Sequence, residues 1–309
     1  MSAVVAKLWL LALSIYSVAC AEESCESCAT NLIQKKALAR FSETRSVSNK
    51  SHIGTNPWDV YDYLAAVHHK SGIYFLHKIA VYMFSTLQIR DEDVGTIITP
   101  CYTVCANTQA PVLFMIDMAG PETIQRKREA AKAKGKGLKV YGTVRDPVTM
   151  VASAYCYHSR GEEALNVMFL PPGWPEVTMQ TMAMQDGVTF AARQMMPMVA
   201  NMTSLYEKPD KDTYRFDYER ATASSENFDE MVSNMLDVLF GTMISPDQKS
   251  KCLEAAAWAD LRRHPDETDE HTNNEDCEAE ARQVFLDSAP ADMLAAYRDF
   301  QRRLGYPMG

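Results

Sequence analysis

Two short segments carry residue types and spacings suited to holding an anion and acting on it. In the first, His69-Lys70-Ser71-Gly72 follows an apolar run and leads into a helical pattern. A turn that opens a helix offers first-turn backbone N–H groups and the positive end of the helix dipole to an anion. Lys70 adds a mobile positive charge, and Gly72 lets the backbone approach an oxyanion closely. The Gly-x-x-x-x-Gly-Lys-Ser/Thr spacing of a nucleoside-triphosphate loop is not present around it. In the second, Arg145 leaves the carboxyl end of an apolar strand, Pro147 starts a helix, and Ser153 lies two helical turns beyond Asp146. Arginine supplies a bidentate fork and serine a hydroxyl, a pair suited to a phosphate monoester. The plainer alternative is Arg145 paired with a neighbouring carboxylate and Asp146 capping its helix.

The elements that position these residues are legible from periodicity. Residues 62–68, 94–98, 112–116, 138–144 and 213–217 read as short strands. Residues 73–87, 121–134 and 147–158 between them read as helices. Strands alternating with helices imply crossover units and an α/β fold whose mostly parallel central sheet is covered by helices on both faces. In such folds ligands bind outside the carboxyl ends of the strands, where both segments fall. Beyond residue 160 the chain reads as mainly helical, with an amphipathic helix over 228–240 stopped by Gly241 and a terminal helix over 284–304.

Taken in order, the segments resemble the sulfotransferases that use 3′-phosphoadenosine 5′-phosphosulfate (PAPS). His69-Lys70-Ser71-Gly72 is similar to that family's 5′-phosphosulfate loop. Val144-Arg145-Asp146-Pro147 with Ser153 and Tyr155 is similar to its 3′-phosphate motif. Tyr214-Arg215-Phe216-Asp217-Tyr218-Glu219 resembles its third landmark, a strand ending in Tyr-Glu, and Leu304-Gly305-Tyr306 resembles its terminal segment. The resemblance spans roughly residues 60–306 and implies a three-layer P-loop-like α/β fold, PAPS as donor, a hydroxyl-bearing acceptor (glycan, glycolipid or small molecule) and no metal. It implies donor contacts from Lys70, Ser71, Gly72, Ile73, Arg145 and Ser153, with Tyr218 near the adenine.

Lys70 would neutralise charge developing on the leaving phosphate, a role worth ~3–4 kcal/mol for one preorganised donor. The resemblance makes His69 the candidate general base, since the similar glycolipid-type enzymes carry a His directly before the loop lysine; His68, His77 and Asp117 are the rivals. The sequence departs from the family at Ile73-Tyr74, where a Ser/Thr pair is usual, so contacts to the 5′-phosphate come from Ser71, from backbone N–H groups, or not at all. No copy of the cytosolic branch's Arg-Lys-Gly segment is found; Arg262-Arg263 is the candidate substitute, and the departure favours the Golgi-like, carbohydrate-acting branch. Two other classes compete: a P-loop-like nucleotide kinase or hydrolase, and a secreted binding module derived from an enzyme.

The chain has 309 residues and a net charge of −9, which argues against general nucleic-acid binding. Residues 8–21 form an apolar run preceded by Lys7, with Ala19 and Ala21 placed for cleavage before Glu22. This predicts a signal peptide over 1–21, a polar stem over 22–57 and a catalytic domain over 58–309, on the secretory route to the Golgi lumen or outside. Membrane attachment follows only where the leader stays uncleaved. That route permits disulfides, and Cys252–Cys277 is the first choice of pair. Asn49 and Asn201 head glycosylation sequons. The basic stretch 126–139 and the acidic stretch 264–280 read as solvated charge. The methionines between Asp186 and Ser204 read chiefly as core, with an adaptable acceptor cleft as the alternative; Trp174 is a candidate to stack on a sugar ring.

Overall fold

The computed structural model describes residues 56–89, 94–97, 111–116, 119–160, 178–265 and 273–308. The leader, most of the stem, Asp117, Trp174 and the Asn49 sequon lie outside the described residues. A short α1 (Pro57–Val60) leads into β1 (Tyr61–Val67), then α2 (Ile73–Thr86), β2 (Val94–Ile97) and β3 (Val112–Ile116). There follow α3 (Pro121–Ala133), β4 (Gly137–Val144), α4 (Pro147–Ser159), α5 (Thr178–Thr181) and α6 (Met184–Tyr206). The chain continues through β5 (Thr213–Asp217), α7 (Tyr218–Ala223), α8 (Ser225–Leu239), α9 (Pro246–Ala256), α10 (Glu275–Ser288) and α11 (Ala291–Leu304).

The five strands form one all-parallel sheet in the order β2-β3-β1-β4-β5. Both faces are covered, which explains why β1 is buried continuously from Tyr63 to Val67. The strand period of two sends alternate residues to different cores. Leu64 and Ala66 of β1 join Val188, Met195 and Met202 of α6, Phe285 of α10 and Tyr297 of α11. Tyr63, Ala65 and Val67 join Leu76 and Met83 of α2, Phe228 and Leu236 of α8, and Cys252 of α9. The methionines of α6 therefore pack the core: Met195 and Met202 are fully buried, and Met196 and Met198 lie against them. Gly142 of β4 allows a close approach, since a Cβ there would lie 2.0 Å from both the Ala66 carbonyl oxygen and the Tyr206 hydroxyl. Tyr206 spans the layers by donating to that carbonyl at 2.7 Å.

Three expectations need correction. The single helix expected over 284–304 is two, α10 and α11, with Ala289 extended (ψ 146°) and Pro290 as the cap between them. Proline lacks the N–H a helix needs and drives its predecessor out of the helical region, while the apolar period runs on across the break. The disulfide joins Cys156 of α4 to Cys277 of α10, with Cα atoms 6.1 Å apart, not Cys252 to Cys277. Cys252 is a buried free thiol in the core on the other sheet face, and burial pushes its pKa up to about 12. The charged stretches are paired as well as solvated. Lys134 and Lys136 meet Asp62, Lys139 meets Asp212, and Arg128 meets Asp210.

Candidate active site

Because the sheet is parallel, β1, β4 and β5 deliver their carboxyl ends to the same edge. The chain proceeds from β1 toward β3 on one side and takes β4 on the other, so the crevice between β1 and β4 is the switch point of the sheet. Residues 68–72 leave β1 there and Arg145-Asp146 leave β4 beside them.

The first turn is held from within. Ser71 is fully buried; its hydroxyl donates to the His68 carbonyl at 2.7 Å and meets Thr143 Oγ1 of β4 at 2.9 Å. With its proton directed to His68, Thr143 is the donor of the second bond. Ser71 Oγ also accepts the His68 backbone N–H at 3.3 Å, and the Ser71 N–H donates to the His68 carbonyl. The Ser71 hydroxyl thus builds the turn that presents Lys70 and Gly72. Lys70 takes a left-handed backbone conformation (φ 60°), an uncommon state outside glycine that marks many functional turns. Gly72 caps α2 at φ 104° without a side-chain cap bond, and Ile73 is the first helical residue. The groups this turn could offer an anion are the main-chain N–H groups of the α2 terminus and the Lys70 ammonium. The Lys70 ammonium lies 3.8 Å from the centre of the Tyr157 ring of α4.

Arg145 and Ser153 do meet: the Arg145 Nη1 donates to Ser153 Oγ at 3.0 Å and to the Lys70 carbonyl at 3.4 Å, joining the two segments. The guanidinium lies 4.9 Å from the centre of the Tyr218 ring. That ring covers Gly72, where a Cβ would come within 2.6 Å of it. Lys70, Gly72, Arg145, Ser153 and Tyr218 thus form one constellation at the mouth of the sheet. The plainer alternative also holds. Asp146 accepts the Val148 N–H as helix cap, and Arg145 donates to Glu278 of α10 at 2.9 Å.

The third landmark has a physical role that spacing did not disclose. Glu219, directly after Tyr218, accepts the Asp146 backbone N–H at 2.9 Å and the Tyr306 hydroxyl at 2.9 Å. It ties β5, the turn after β4 and the chain terminus together. Burial raises its pKa above the usual carboxylate range, against those hydrogen bonds and the nearby Arg145.

The histidines separate by environment. His68 is fully buried, its Nε2 bonded to the Ala119 carbonyl at 2.8 Å, and burial lowers its pKa to about 4. His77 packs against Phe114, and burial lowers its pKa likewise to about 4. Neither is open to an acceptor. His69 is half-buried, and its Nε2 lies 2.8 Å from the Nε2 of His158 on α4. Burial, then Lys70, lower the pKa of His158 to about 3, so it is neutral across the working range.

Arg262 and Arg263 are engaged elsewhere. Arg262 donates to the Thr222 carbonyl at 2.9 Å, and Arg263 forks onto Asp229 at 2.7 and 2.6 Å. Sequence reasoning missed His158, Asn273 and Glu278, the last being assigned to a solvated acidic stretch. Its side chain is 20% exposed and paired. Asn201 sits within α6, beside Gly120. Among the described residues no group of three or more His, Cys, Asp or Glu is placed to hold a metal ion, and no helix is long and apolar enough to cross a membrane.

No protein-family model matches the chain, and no curated protein matches it in sequence. Among solved structures it is similar to mouse sulfotransferase SULT7A1 complexed with PAP, at 14% identity and a TM-score of 0.37, over 81% of this chain and 84% of that one.

Proposed function

We propose that the protein is a PAPS-dependent sulfotransferase acting on the hydroxyl of a carbohydrate, glycolipid or small secreted metabolite. The observation that carries this reading is the convergence of Arg145 and Ser153 on the Lys70 turn at the β1–β4 crevice, roofed by Tyr218. Two cations and a helix N-terminus around one crevice suit a nucleotide with phosphates at both ends. The 3′-phosphate goes to Arg145 and Ser153, the 5′-phosphosulfate to the α2 terminus and Lys70, and Tyr218 stands beside the base.

In the reaction the acceptor oxygen forms a bond to sulfur as the bond from sulfur to the phosphate oxygen breaks in line. The acceptor proton passes to His69, and 3′-phosphoadenosine 5′-phosphate (PAP) leaves with the electron pair. With neutral His158 accepting the His69 Nε2–H, the Nδ1 lone pair of His69 is the base. Lys70 swings from Tyr157 onto the leaving phosphate, where charge grows most. The disulfide and the apolar leader favour a secretory-pathway enzyme, on the Golgi-like branch.

The test is calorimetric titration with PAP and transfer of radiolabelled sulfate from PAPS to a panel of glycans, lipids and small alcohols. Lys70→Ala is expected to lower transfer by ~10²–10³. Arg145→Ala is expected to weaken PAP binding, with both variants folded. Wild-type transfer by both variants refutes the assignment.

A further inference from the structure

The two ends of the Arg145 fork are not equivalent. Nη1 serves Ser153, the contact a phosphate would share, while Nη2 is bound by the carboxylate of Glu278 at 2.9 Å. The other oxygen of that carboxylate, Oε1, accepts from Asn273 Nδ2 at 2.8 Å, and the same amide reaches Ser153 Oγ at 2.8 Å and the Ser153 carbonyl at 2.9 Å. Glu278 is therefore bound as a phosphate would be, through two oxygens, by an arginine and by an amide that also serves Ser153. Among the described residues the buried Arg145 Nε and Asn273 Oδ1 beside it have no hydrogen-bond partner, and Nε lies 3.9 Å from Glu219 Oε1.

Charge makes the consequence definite. Arg145 brings one positive charge to this spot, and Glu278 and Glu219 bring two carboxylates. A phosphate monoester cannot share the Nη2 edge with a carboxylate, because two anions a few ångströms apart repel strongly in a partly buried site. A ribose 3′-hydroxyl has no such conflict: it is a donor, and the Glu278 carboxylate is an acceptor. Displacement has to be a side-chain rotation. Cys277 immediately precedes Glu278 and is joined to Cys156, three residues past Ser153 on α4, so the backbone of α10 is pinned to the site.

We propose that Glu278 is the residue that sets selectivity at the nucleotide's 3′ position, as an internal carboxylate in the place of the 3′-phosphate. The protein as it stands then discriminates weakly between 3′-phosphorylated and 3′-hydroxyl adenine nucleotides, and a 3′-phosphate binds by displacing Glu278. This rests on the donor-site reading above. The experiment titrates the full chain, disulfide intact, with PAP and with adenosine 5′-monophosphate, for wild type, Glu278→Gln and Glu278→Ala, with urea unfolding to confirm that each is folded. The expected result is PAP affinity at least tenfold higher in both variants, with affinity for adenosine 5′-monophosphate no higher than in the wild type. PAP affinity unchanged or weaker in both folded variants overturns the proposal and makes Glu278 a strut for Arg145, while leaving the donor site standing. Absence of binding of either nucleotide to any form overturns the donor site itself, and the proposal with it.

Discussion

Replacing Gly72 by alanine tests whether the Lys70 turn and the Tyr218 ring form one packed unit. Two costs are separable. The backbone at Gly72 has φ 104° and ψ 39°, a left-handed state that costs an L-residue roughly 1–2 kcal/mol. The new Cβ would lie 2.6 Å from Tyr218 Cδ2 and 3.1 Å from Cε2, and its three nearest neighbours all belong to that ring. The ring is backed by Phe75, at 5.6 Å between centroids, and by Arg145, so moving it is an overpacking event of about 1–3 kcal/mol. Gly72→Ala should therefore destabilise by about 2–5 kcal/mol in urea unfolding. In a Tyr218→Ala background the second cost disappears and only about 1–2 kcal/mol remains. The double-mutant cycle should return a coupling of about 1–3 kcal/mol, and PAP affinity should fall in the single variant as Tyr218 leaves Arg145. Strict additivity of the two substitutions would refute the packing argument, whatever the size of each effect.

Two further outcomes follow from buried chemistry. The Cys156–Cys277 bridge closes a loop with a sequence separation of 121, so its removal as Cys156→Ser/Cys277→Ser should cost about 5 kcal/mol in the chain-entropy account, measured by urea unfolding. His68 and His77 have pKa values lowered to about 4 in the folded protein, whereas the unfolded chain takes up those protons near 6.5. Stability attached to the neutral rings is thus complete above pH 6.5 and is lost as the pH falls toward 4, by roughly 3 kcal/mol per histidine. Unfolding free energies at pH 7, 5.5 and 4.5 should trace that fall, and His77→Leu should remove its share of the slope; a flat profile would contradict the burial of both rings.

Much of the fold is readable from the chain because it is local. Continuous apolar runs of strand length, proline at the first turns of α3 and α4, and helical periods between them specify a parallel sheet with both faces covered. The bounds of β3 and β5 agree with the expected 112–116 and 213–217. The meeting of Arg145 and Ser153 is local in the same sense: one strand end and two helical turns carry the hydroxyl back to the guanidinium. Pro290 ends α10 and starts a new helix although the apolar pattern continues through it.

What sequence by itself determined, then, is the order of the elements and the two segments that meet at the edge of the sheet. Tertiary structure decided the company those segments keep. Glu278 reaches Arg145 across 133 residues, His158 reaches His69 across 89, and Cys277 finds Cys156 rather than Cys252. Periodicity tells which face of a helix is buried but not which helix it lies against, and these three contacts depend on α4 and α10 packing on one side of the sheet while α9 packs on the other. An acidic residue in a charged stretch and one in an arginine's grip are the same letter, and only the packing of α10 on α4 separates them.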